Sequence, residues 1–308
     1  MSANSKIEWT DYTWNPWLGC EKVSQGCKNC YAERETPIRI ARRRGVEMWG
    51  PSGIRQVTAD GTWEMPHRWN RQAARDGVRR RVFPSLCDPF EDRPELVGPR
   101  AGLFSVIEKT SNLDWLLLTK RPENVRRMVE AIRQHWGGDQ APYFENLWIG
   151  TSVENQEQAD KRIPELLNVP AHARFLSCEP LLGPLDLSHV ANSGGENYGI
   201  QDGVIDWVIV GGESGPGARS MERAWAQQIV RDCNAAGVPA FVKQLGAAYS
   251  DPENGIAGRR LCVPREAEAL ISRRLVHPKG GDPVEWPEWA KVRDLPAIWS
   301  NQNKGGVR

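Results

Sequence analysis

The sequence contains no long apolar run and no segment with the features of a secretory signal. A membrane-spanning helix needs about 20 consecutive, mostly apolar residues, and no stretch of the 308 residues provides them. The chain begins MSANSKIEWTDYTWN, which lacks the apolar core of a signal peptide. We therefore expect a cytoplasmic protein with no membrane partner.

An excess of charge of either sign is also missing, since 40 Lys and Arg residues face 39 Asp and Glu residues. This balance excludes a grossly basic nucleic-acid-binding protein. Positive charge is nevertheless concentrated in two arginine runs, at residues 42–44 and 79–81. Each run is either the solvated face of a surface helix or a surface that contacts phosphate groups.

The five histidines are scattered and show no spacing typical of metal ligands. Cysteines do cluster, because three of the seven, Cys20, Cys27 and Cys30, lie in the stretch NPWLGCEKVSQGCKNCYAE. In a reducing compartment, clustered thiols indicate metal binding or catalysis rather than disulfides.

Three thiols in one loop leave three alternatives open. A structural zinc site needs four ligands, and the nearest further candidates are His67 and Cys87. A cubic iron–sulfur cluster held by three cysteines leaves its fourth iron open for a substrate or cofactor. The remaining alternative is a set of unligated thiols with a redox role.

Six short apolar runs recur along the chain, each followed by a polar or glycine-rich tip. They lie within 81–91, 114–123, 146–155, 173–183, 206–215 and 239–246. Continuous apolar runs are typical of strands in a parallel sheet that is covered on both faces. Helical patterns separate them over 122–137, 154–168 and 222–236. The sequence thus predicts an α/β fold, best fitted by a partial (β/α) barrel, with an open doubly wound sheet as the alternative.

The barrel domain is expected over residues 1–246, with an inserted excursion near 44–72. We expect an irregular C-terminal extension over 247–308 that packs on the barrel, and a flexible surface loop over 186–205. Loops at the carboxyl ends of the strands build the active site in such folds. The polar strand tips are Ser85, Cys87 and Asp88; Thr119, Lys120 and Arg121; Thr151, Ser152 and Glu154; Ser177, Cys178 and Glu179; Gly211, Gly212, Glu213 and Ser214; and Lys243 and Gln244.

Several motifs occur together in this chain: TWNPWLGCEKVSQGCKNCYAE, LLLTKRPENV, FLSCEPLLGPLDL and DWVIVGGESGPGAR. In this combination the chain resembles an uncharacterised family of phage and prophage proteins, regarded as a branch of the radical S-adenosylmethionine superfamily. The resemblance extends from residue 6 to about residue 246. The cysteine spacing here is C-x6-C-x2-C, whereas most members of the superfamily have C-x3-C-x2-C.

The resemblance implies that Cys20, Cys27 and Cys30 ligate a [4Fe-4S] cluster whose open iron takes the amino and carboxylate groups of S-adenosylmethionine. Reduction of the cluster, by a protein such as a flavodoxin or ferredoxin, would cleave the sulfonium and yield a 5′-deoxyadenosyl radical that abstracts hydrogen from the substrate. The radical SAM type of partial barrel is the fold that the resemblance implies.

Further cofactor contacts are expected from the same comparison. The stretch of Gly211, Gly212, Glu213 and Ser214 resembles the Gly-Gly-Glu stretch that helps hold the methionine end of the cofactor. The aromatic residue that usually precedes the last cysteine follows it here, as Tyr31. We count Tyr31 and Ser177 as cofactor-binding candidates.

Three catalytic candidates follow from residue type and position. Glu179 is suited to bind a ribose hydroxyl or to act as an acid or base. Lys120 is suited to a phosphate or carboxylate. Cys87 is either a hydrogen-atom donor, an extra ligand or a plain buried thiol, whereas Cys178 is expected to be a small core residue.

The phage association and the two arginine runs favour a nucleobase, a nucleotide or DNA with a modified base as the substrate. Two alternatives of other classes remain: a zinc-containing nucleic-acid-binding protein without catalysis, and a barrel enzyme whose thiols do redox chemistry.

Overall fold

The computed structural model describes residues 5–135, 144–191, 197–259, 271 and 273–300. The chain divides into two compact units. Unit 1 comprises Met1–Thr151, Glu165–Arg174 and Ile298–Arg308, and unit 2 comprises Ser152–Pro164 and Phe175–Ala297.

Strands and helices alternate along most of the chain. The strands are β1 (Tyr12–Thr13), β2 (Trp17–Leu18), β3 (Gln56–Val57), β4 (Arg80–Phe83), β5 (Leu113–Thr119), β6 (Leu147–Ser152), β7 (Ala173–Cys178), β8 (Val190–Ala191), β9 (Asn197–Tyr198), β10 (Trp207–Gly211), β11 (Met221–Glu222), β12 (Ala240–Gln244), β13 (Tyr249–Asp251), β14 (Ile256–Ala257) and β15 (Arg273–Arg274). The α-helices are α1 (Thr36–Arg43), α2 (Asp60–Trp63), α3 (Met65–Asp76), α4 (Val97–Glu108), α5 (Val125–His135), α6 (Gln156–Leu167), α7 (Arg223–Ala236) and α8 (Ala297–Ser300).

The predicted apolar strands are present, and they are parallel. In unit 1, β1 pairs with β4, β4 with β5 and β5 with β6. In unit 2, β10 lies between β7 and β12 and is parallel to both. The hydrogen-bonded order is β1-β4-β5-β6-β7-β10-β12. This mixed α/β topology confirms the predicted fold class and is consistent with a partial (β/α) barrel.

The predicted crossover helices are also present. Helix α5 follows a 3₁₀ turn at Pro122–Asn124, and its predicted apolar face, including Val125 and Ile132, is buried. Helix α7 ends at Gly237, whose φ of 68° lies in the left-handed region that favours glycine.

Each arginine of the run at residues 79–81 forms an ion pair within unit 1. Arg79 pairs with Asp114 and Arg80 with Asp76. Arg81 pairs with Asp11, and its guanidinium also lies over the Trp299 ring. This run therefore has a structural role at the start of β4, and it is neither the solvated face of a surface helix nor a set of arginines free to contact phosphate.

Two segments contain more regular structure than the sequence indicated. Residues 186–205 were predicted as a flexible surface loop, but β8 pairs with β9, and Leu187, Ile200 and Ile205 are buried. These apolar side chains tie the segment to unit 2; residues 192–196 of the predicted loop lie outside the described residues. In the C-terminal part, β13, β14 and β15 form a four-stranded sheet with β11.

The segment near 44–72 is fixed to the body of unit 1 by a buried ion pair. Arg55 donates to both carboxylate oxygens of Glu91, at 2.7 and 2.6 Å, and neither side chain is more than 3% exposed. Arg55 also donates to the main-chain oxygens of Met48, Gly50 and Gly53. One guanidinium thus satisfies the backbone of a tight loop.

None of the described helices is long and apolar enough to cross a membrane.

Replacing Glu91 by glutamine tests the buried ion pair. The change leaves the guanidinium of Arg55 uncompensated in a buried position, so we expect the free energy of unfolding to fall by about 3–5 kcal/mol. Urea unfolding followed by tryptophan fluorescence measures this loss. The control is Glu130→Gln, which removes the partner of Arg126 in an exposed pair and should change the free energy of unfolding by less than about 1 kcal/mol. Equal losses in the two variants would contradict the role assigned to Glu91.

Candidate functional site

The cysteine loop begins at a glycine that no other residue can replace without strain. Gly19 has a φ of 113°, and a Cβ atom there would lie 2.4 Å from the main-chain oxygen of Met48. The backbone of the next residue, Cys20, forms an isolated β-bridge with that of Trp49. The main-chain oxygen of Cys20 also accepts from the N–H of Gly50 at 3.0 Å. The first cysteine is therefore held against the segment that Arg55 anchors.

The other two cysteines of the loop lie on short turns. Cys27 ends the 3₁₀ turn Gln25–Cys27, and its main-chain oxygen accepts from the N–H of Cys30 at 3.3 Å. Burial raises the pKa of Cys30, and the N–H groups of Ala32 and Glu33, which donate to its sulfur, partly oppose that rise. Cys20 and Cys30 both pack against the apolar cluster that includes Trp49.

A buried carboxylate at the tip of β4 connects this loop to the tip of β5. Oδ1 of Asp88 accepts from Phe90 N at 3.0 Å and from Thr119 Oγ1 at 2.7 Å. Its Oδ2 accepts from Lys120 N at 3.1 Å and from Arg121 Nη1 at 2.8 Å. Four donors fix the carboxylate and hold the tips of β4 and β5 together.

Arg121 connects the carboxylate of Asp88 to Cys20. Its Nη1 lies 3.9 Å from the sulfur of Cys20, and its Nη2 donates to the main-chain oxygen of Glu21 at 2.9 Å. Burial raises the pKa of the Cys20 thiol to about 12; the charge of Asp88 adds to this rise and the guanidinium of Arg121 opposes it. Without a bound cation the thiol stays protonated.

Cys30 and Lys120 are electrostatic neighbours. Burial raises the pKa of Cys30, and the ammonium group of Lys120 is the strongest opposing influence. The structure thus brings Lys120, predicted as a catalytic residue, close to the cysteine loop.

Cys87 lies beside the same loop. Its backbone forms an isolated β-bridge with that of Gly19. Burial raises the pKa of the Cys87 thiol well above its usual value, and negative charge on Cys20 would raise it further. Oδ1 of Asn15 is 3.9 Å from its sulfur and also accepts from Leu86 N at 2.6 Å. Because that backbone donor fixes the amide orientation, Nδ2 of Asn15 is left buried with no hydrogen-bond partner among the described residues.

The predicted cofactor residue Tyr31 is anchored through its hydroxyl group. Its hydroxyl donates to the main-chain oxygen of Ser85 at 3.2 Å, while 44% of the residue is exposed. The ring is therefore held in place and accessible.

In unit 2, the strand tips hold a second polar pair. Nζ of Lys243 donates to Oε1 of Glu179 at 3.0 Å, and no described residue donates to Oε2 of Glu179. Both side chains are partly buried. A Cβ atom on Gly211 would lie 2.4 Å from Oε1 of Glu179, so a larger residue there would have to displace the carboxylate end of that side chain.

The carboxylate of Glu213 is used within the chain. Arg219 donates to it from Nη2 at 2.6 Å, from Nε at 3.0 Å and from its main-chain N–H at 2.8 Å. Gly212 packs so closely on Leu245 that a Cβ atom would lie 2.2 Å from that residue's main-chain oxygen. Ser177 is buried and Ser214 is partly buried. Cys178 is fully buried, which confirms that it is a small core residue.

Sequence reasoning did not foresee these polar partners. Asp88 and Arg121 stood out only as polar tips, and Asn15 and Arg219 were not singled out at all. The asparagine in TWNPWLGC and the arginine in GPGAR are the available signals, but only packing shows which atom each contacts.

The described residues contain no group of three or more His, Cys, Asp or Glu side chains that could hold one metal ion. The donor set nevertheless suits an iron–sulfur cluster, because its cysteines bind different irons and need not converge on one point.

Residues 4–277 match a protein family whose description is "Protein of unknown function (DUF5131)". This match spans all the site residues described above. No curated protein and no solved structure matches the chain.

The Asp88→Asn substitution tests the electrostatics of Cys20. Removing the carboxylate charge removes an influence that raises the pKa of Cys20 and leaves Arg121, which lowers it. At pH 9 a thiol of pKa about 12 is roughly 0.1% ionised. We expect at least a tenfold larger thiolate fraction in Asp88→Asn, measured as the pH dependence of Cys20 alkylation in metal-free protein by peptide mass spectrometry.

Asp92→Asn is the control, because this exposed carboxylate pairs with Arg127 and is not among the charges that act on Cys20. Its alkylation profile should match that of the wild type. An Asp88→Asn profile that is unchanged, or shifted to higher pH, would contradict the electrostatic account.

Proposed function

Because the chain belongs to the DUF5131 family of proteins of unknown function, we propose its function from the site itself: a radical S-adenosylmethionine enzyme. Cys20, Cys27 and Cys30 would hold a [4Fe-4S] cluster, and Cys87 would stand beside it. The proposal joins the motif resemblance to the environment of the cysteine sulfurs.

The observation that carries the proposal is the set of N–H donors at partly buried cysteines. Nη1 of Arg121 lies 3.9 Å from the sulfur of Cys20, and the N–H groups of Ala32 and Glu33 point at that of Cys30. A neutral thiol is a weak acceptor and gains little from such donors, whereas hydrogen bonds to the thiolate ligands of a cluster tune its reduction potential. The raised pKa values of the thiols fit ligands that a metal deprotonates outright.

A thiol-redox enzyme is less well supported. Reactive cysteines have lowered pKa values, whereas the pKa values of the partly buried Cys20, Cys30 and Cys87 are raised by desolvation.

A structural zinc site is the second candidate, because Cys87 brings a fourth thiol next to Cys20, but zinc needs all four ligands around one point and the described residues contain no such group. In that case the protein would have no open coordination position and no radical chemistry.

When bound, the reduced cluster would supply the electron that cleaves S-adenosylmethionine. Within unit 2, the residues proposed to hold this cofactor are Glu179, Gly211, Gly212, Ser214 and Ser177. Glu179 is suited to accept from a ribose hydroxyl, since Lys243 engages only its Oε1. Glu213 would act by shaping the turn through Arg219 and not by direct contact.

The remaining parts of the proposal concern unit 1. Tyr31 would contact the cofactor or substrate, Lys120 would provide positive charge near the cluster, and Cys87 would donate a hydrogen atom. A flavodoxin or ferredoxin would supply electrons, and the substrate would be a nucleobase, a nucleotide or a base in DNA.

Anaerobic reconstitution with ferrous iron and sulfide tests the proposal. We expect a brown protein with about four irons per chain, which forms 5′-deoxyadenosine when dithionite and S-adenosylmethionine are added. Cys20→Ala, Cys27→Ala and Cys30→Ala should each lose the visible absorbance and at least about 99% of the product, because an incomplete ligand set cannot retain the cluster. Absorbance, metal analysis and chromatography measure these outcomes.

Cys233→Ala is the matched control, since this buried thiol lies on α7 in unit 2 and should leave iron content unchanged. Cys87→Ala separates a hydrogen donor, which leaves the iron in place, from an extra ligand, which does not. A colourless protein with one tightly bound zinc would contradict the radical proposal and favour the zinc alternative.

A further inference from the structure

The residues of helix α1 (Thr36–Arg43) carry positive charge and no negative charge on the exposed face, and the nearest carboxylate along the chain is the exposed N-cap residue Glu35. The sequence of α1 is TPIRIARR, and Arg39, Arg43 and the following Arg44 are exposed. Arg39 and Arg43 are one helical turn apart, and like charges at this spacing destabilise a helix. The positive charges of Arg39 and Arg43 therefore lower the stability of the helix slightly.

Most other arginines of this region have carboxylate partners. Arg42 pairs with Glu33 and Glu47, and the run at 79–81 is fully paired. By contrast, none of the carboxylates in the described ranges pairs with Arg39, Arg43 or Arg44. The guanidinium of Arg39 contacts only a neutral group, the hydroxyl of Thr36 at 3.3 Å.

The opposite face of α1 supports the cysteine loop. Ile38 is buried, and together with Ala41 it packs in the apolar cluster to which Cys20 and Cys30 also belong. A helix with its side chains is about 10 Å across, so a ligand on the arginine face lies about one helix thickness from the cysteines.

An accessible aromatic ring lies at the entrance to the same element. Tyr31 directly precedes the 3₁₀ turn Ala32–Arg34, which leads into α1. Tyr31 is 44% exposed, and its hydroxyl donates to the main-chain oxygen of Ser85. Arginine forks match phosphate oxygens, and exposed aromatic rings stack on bases.

We propose that Arg39, Arg43, Arg44 and Tyr31 form a surface that binds single-stranded nucleic acid. The arginines contact the phosphodiester backbone and Tyr31 stacks on a base next to Cys30. An exposed aromatic residue on the turn that leads into α1, together with arginines that have no carboxylate partner among the described residues, favours this ligand over an acidic protein, which offers carboxylates but no stacking partner. The identification of this nucleic acid as a substrate rests on the proposed function. Binding to the surface does not require the cluster.

Fluorescence anisotropy with a labelled oligonucleotide of mixed sequence tests this surface. The triple variant R39Q/R43Q/R44Q should bind at least tenfold more weakly at about 50 mM salt. Each lost phosphate contact lowers the salt dependence of single-strand binding by about 0.7, so the slope of log K against log salt should fall by about 2.

The matched control is R68Q/R71Q/R75Q, which removes the same charge from exposed positions of α3 in unit 1. Its affinity should stay within about twofold of the wild type, because only the α1 arginines contact phosphates in this account. Tyr31→Ala should weaken binding at least about fivefold, while Tyr31→Phe, which keeps the ring, should not.

Equal losses in the two triple variants, or no binding by the wild type, would overturn the proposal. It would also be overturned if the α1 triple variant bound the oligonucleotide normally but was reduced more slowly by a flavodoxin than by dithionite, because the surface would then bind an acidic protein.

Measuring iron-free and reconstituted samples in parallel separates the proposed nucleic-acid surface from the proposed enzyme activity. Iron-free protein that binds through α1 and never takes up a cluster contradicts only the proposed enzyme. A reconstituted protein that makes 5′-deoxyadenosine but lacks α1-dependent binding contradicts only this inference.

Discussion

The buried ion pair between Asp88 and Arg121 is the contact on which the cysteine loop depends. Four donors from the tips of β4 and β5 hold the carboxylate, which in turn aims Arg121 at Cys20 and at the backbone of the loop. A buried guanidinium without this partner would face an uncompensated desolvation cost. The loop is therefore fixed from the sheet side by Asp88 and, through the segment after Met48, by Arg55 and Glu91.

This arrangement divides the work within unit 1. Helix α1 contacts the cysteine loop through Ile38 and leaves its arginines in solvent. Lys120 and Arg121 are neighbours in sequence, yet the first acts on Cys30 and the second on Cys20. Two adjacent cations at a single strand tip thus offset the negative charge that thiolate ligands would bring.

The sequence predicted the strands and the crossover helices because their burial follows from continuous apolar runs and 3.6-residue periodicity, as in β5 and α5. It also singled out polar residues at the strand tips, and the ion pair between Asp88 and Arg121 joins two of these tips. It did not predict partners. The arginines at 79–81 and at 42–44 look alike in sequence, and only the folded chain shows that the first run meets Asp114, Asp76 and Asp11. In the same way, GGESG resembled a cofactor motif, whereas packing shows that Arg219 occupies the carboxylate of Glu213. Side-chain pairing depends on distances between residues far apart in the chain, which periodicity does not encode.

The central claim is that three cysteines hold a cluster whose fourth iron is open. Mössbauer spectroscopy of protein reconstituted with isotopically enriched iron tests it most directly, because the spectrum reports each iron separately. The account predicts that adding S-adenosylmethionine shifts the signal of one iron in four and leaves the other three unchanged. Four irons that do not respond to S-adenosylmethionine, as expected if Cys87 completes the ligand set, would contradict it.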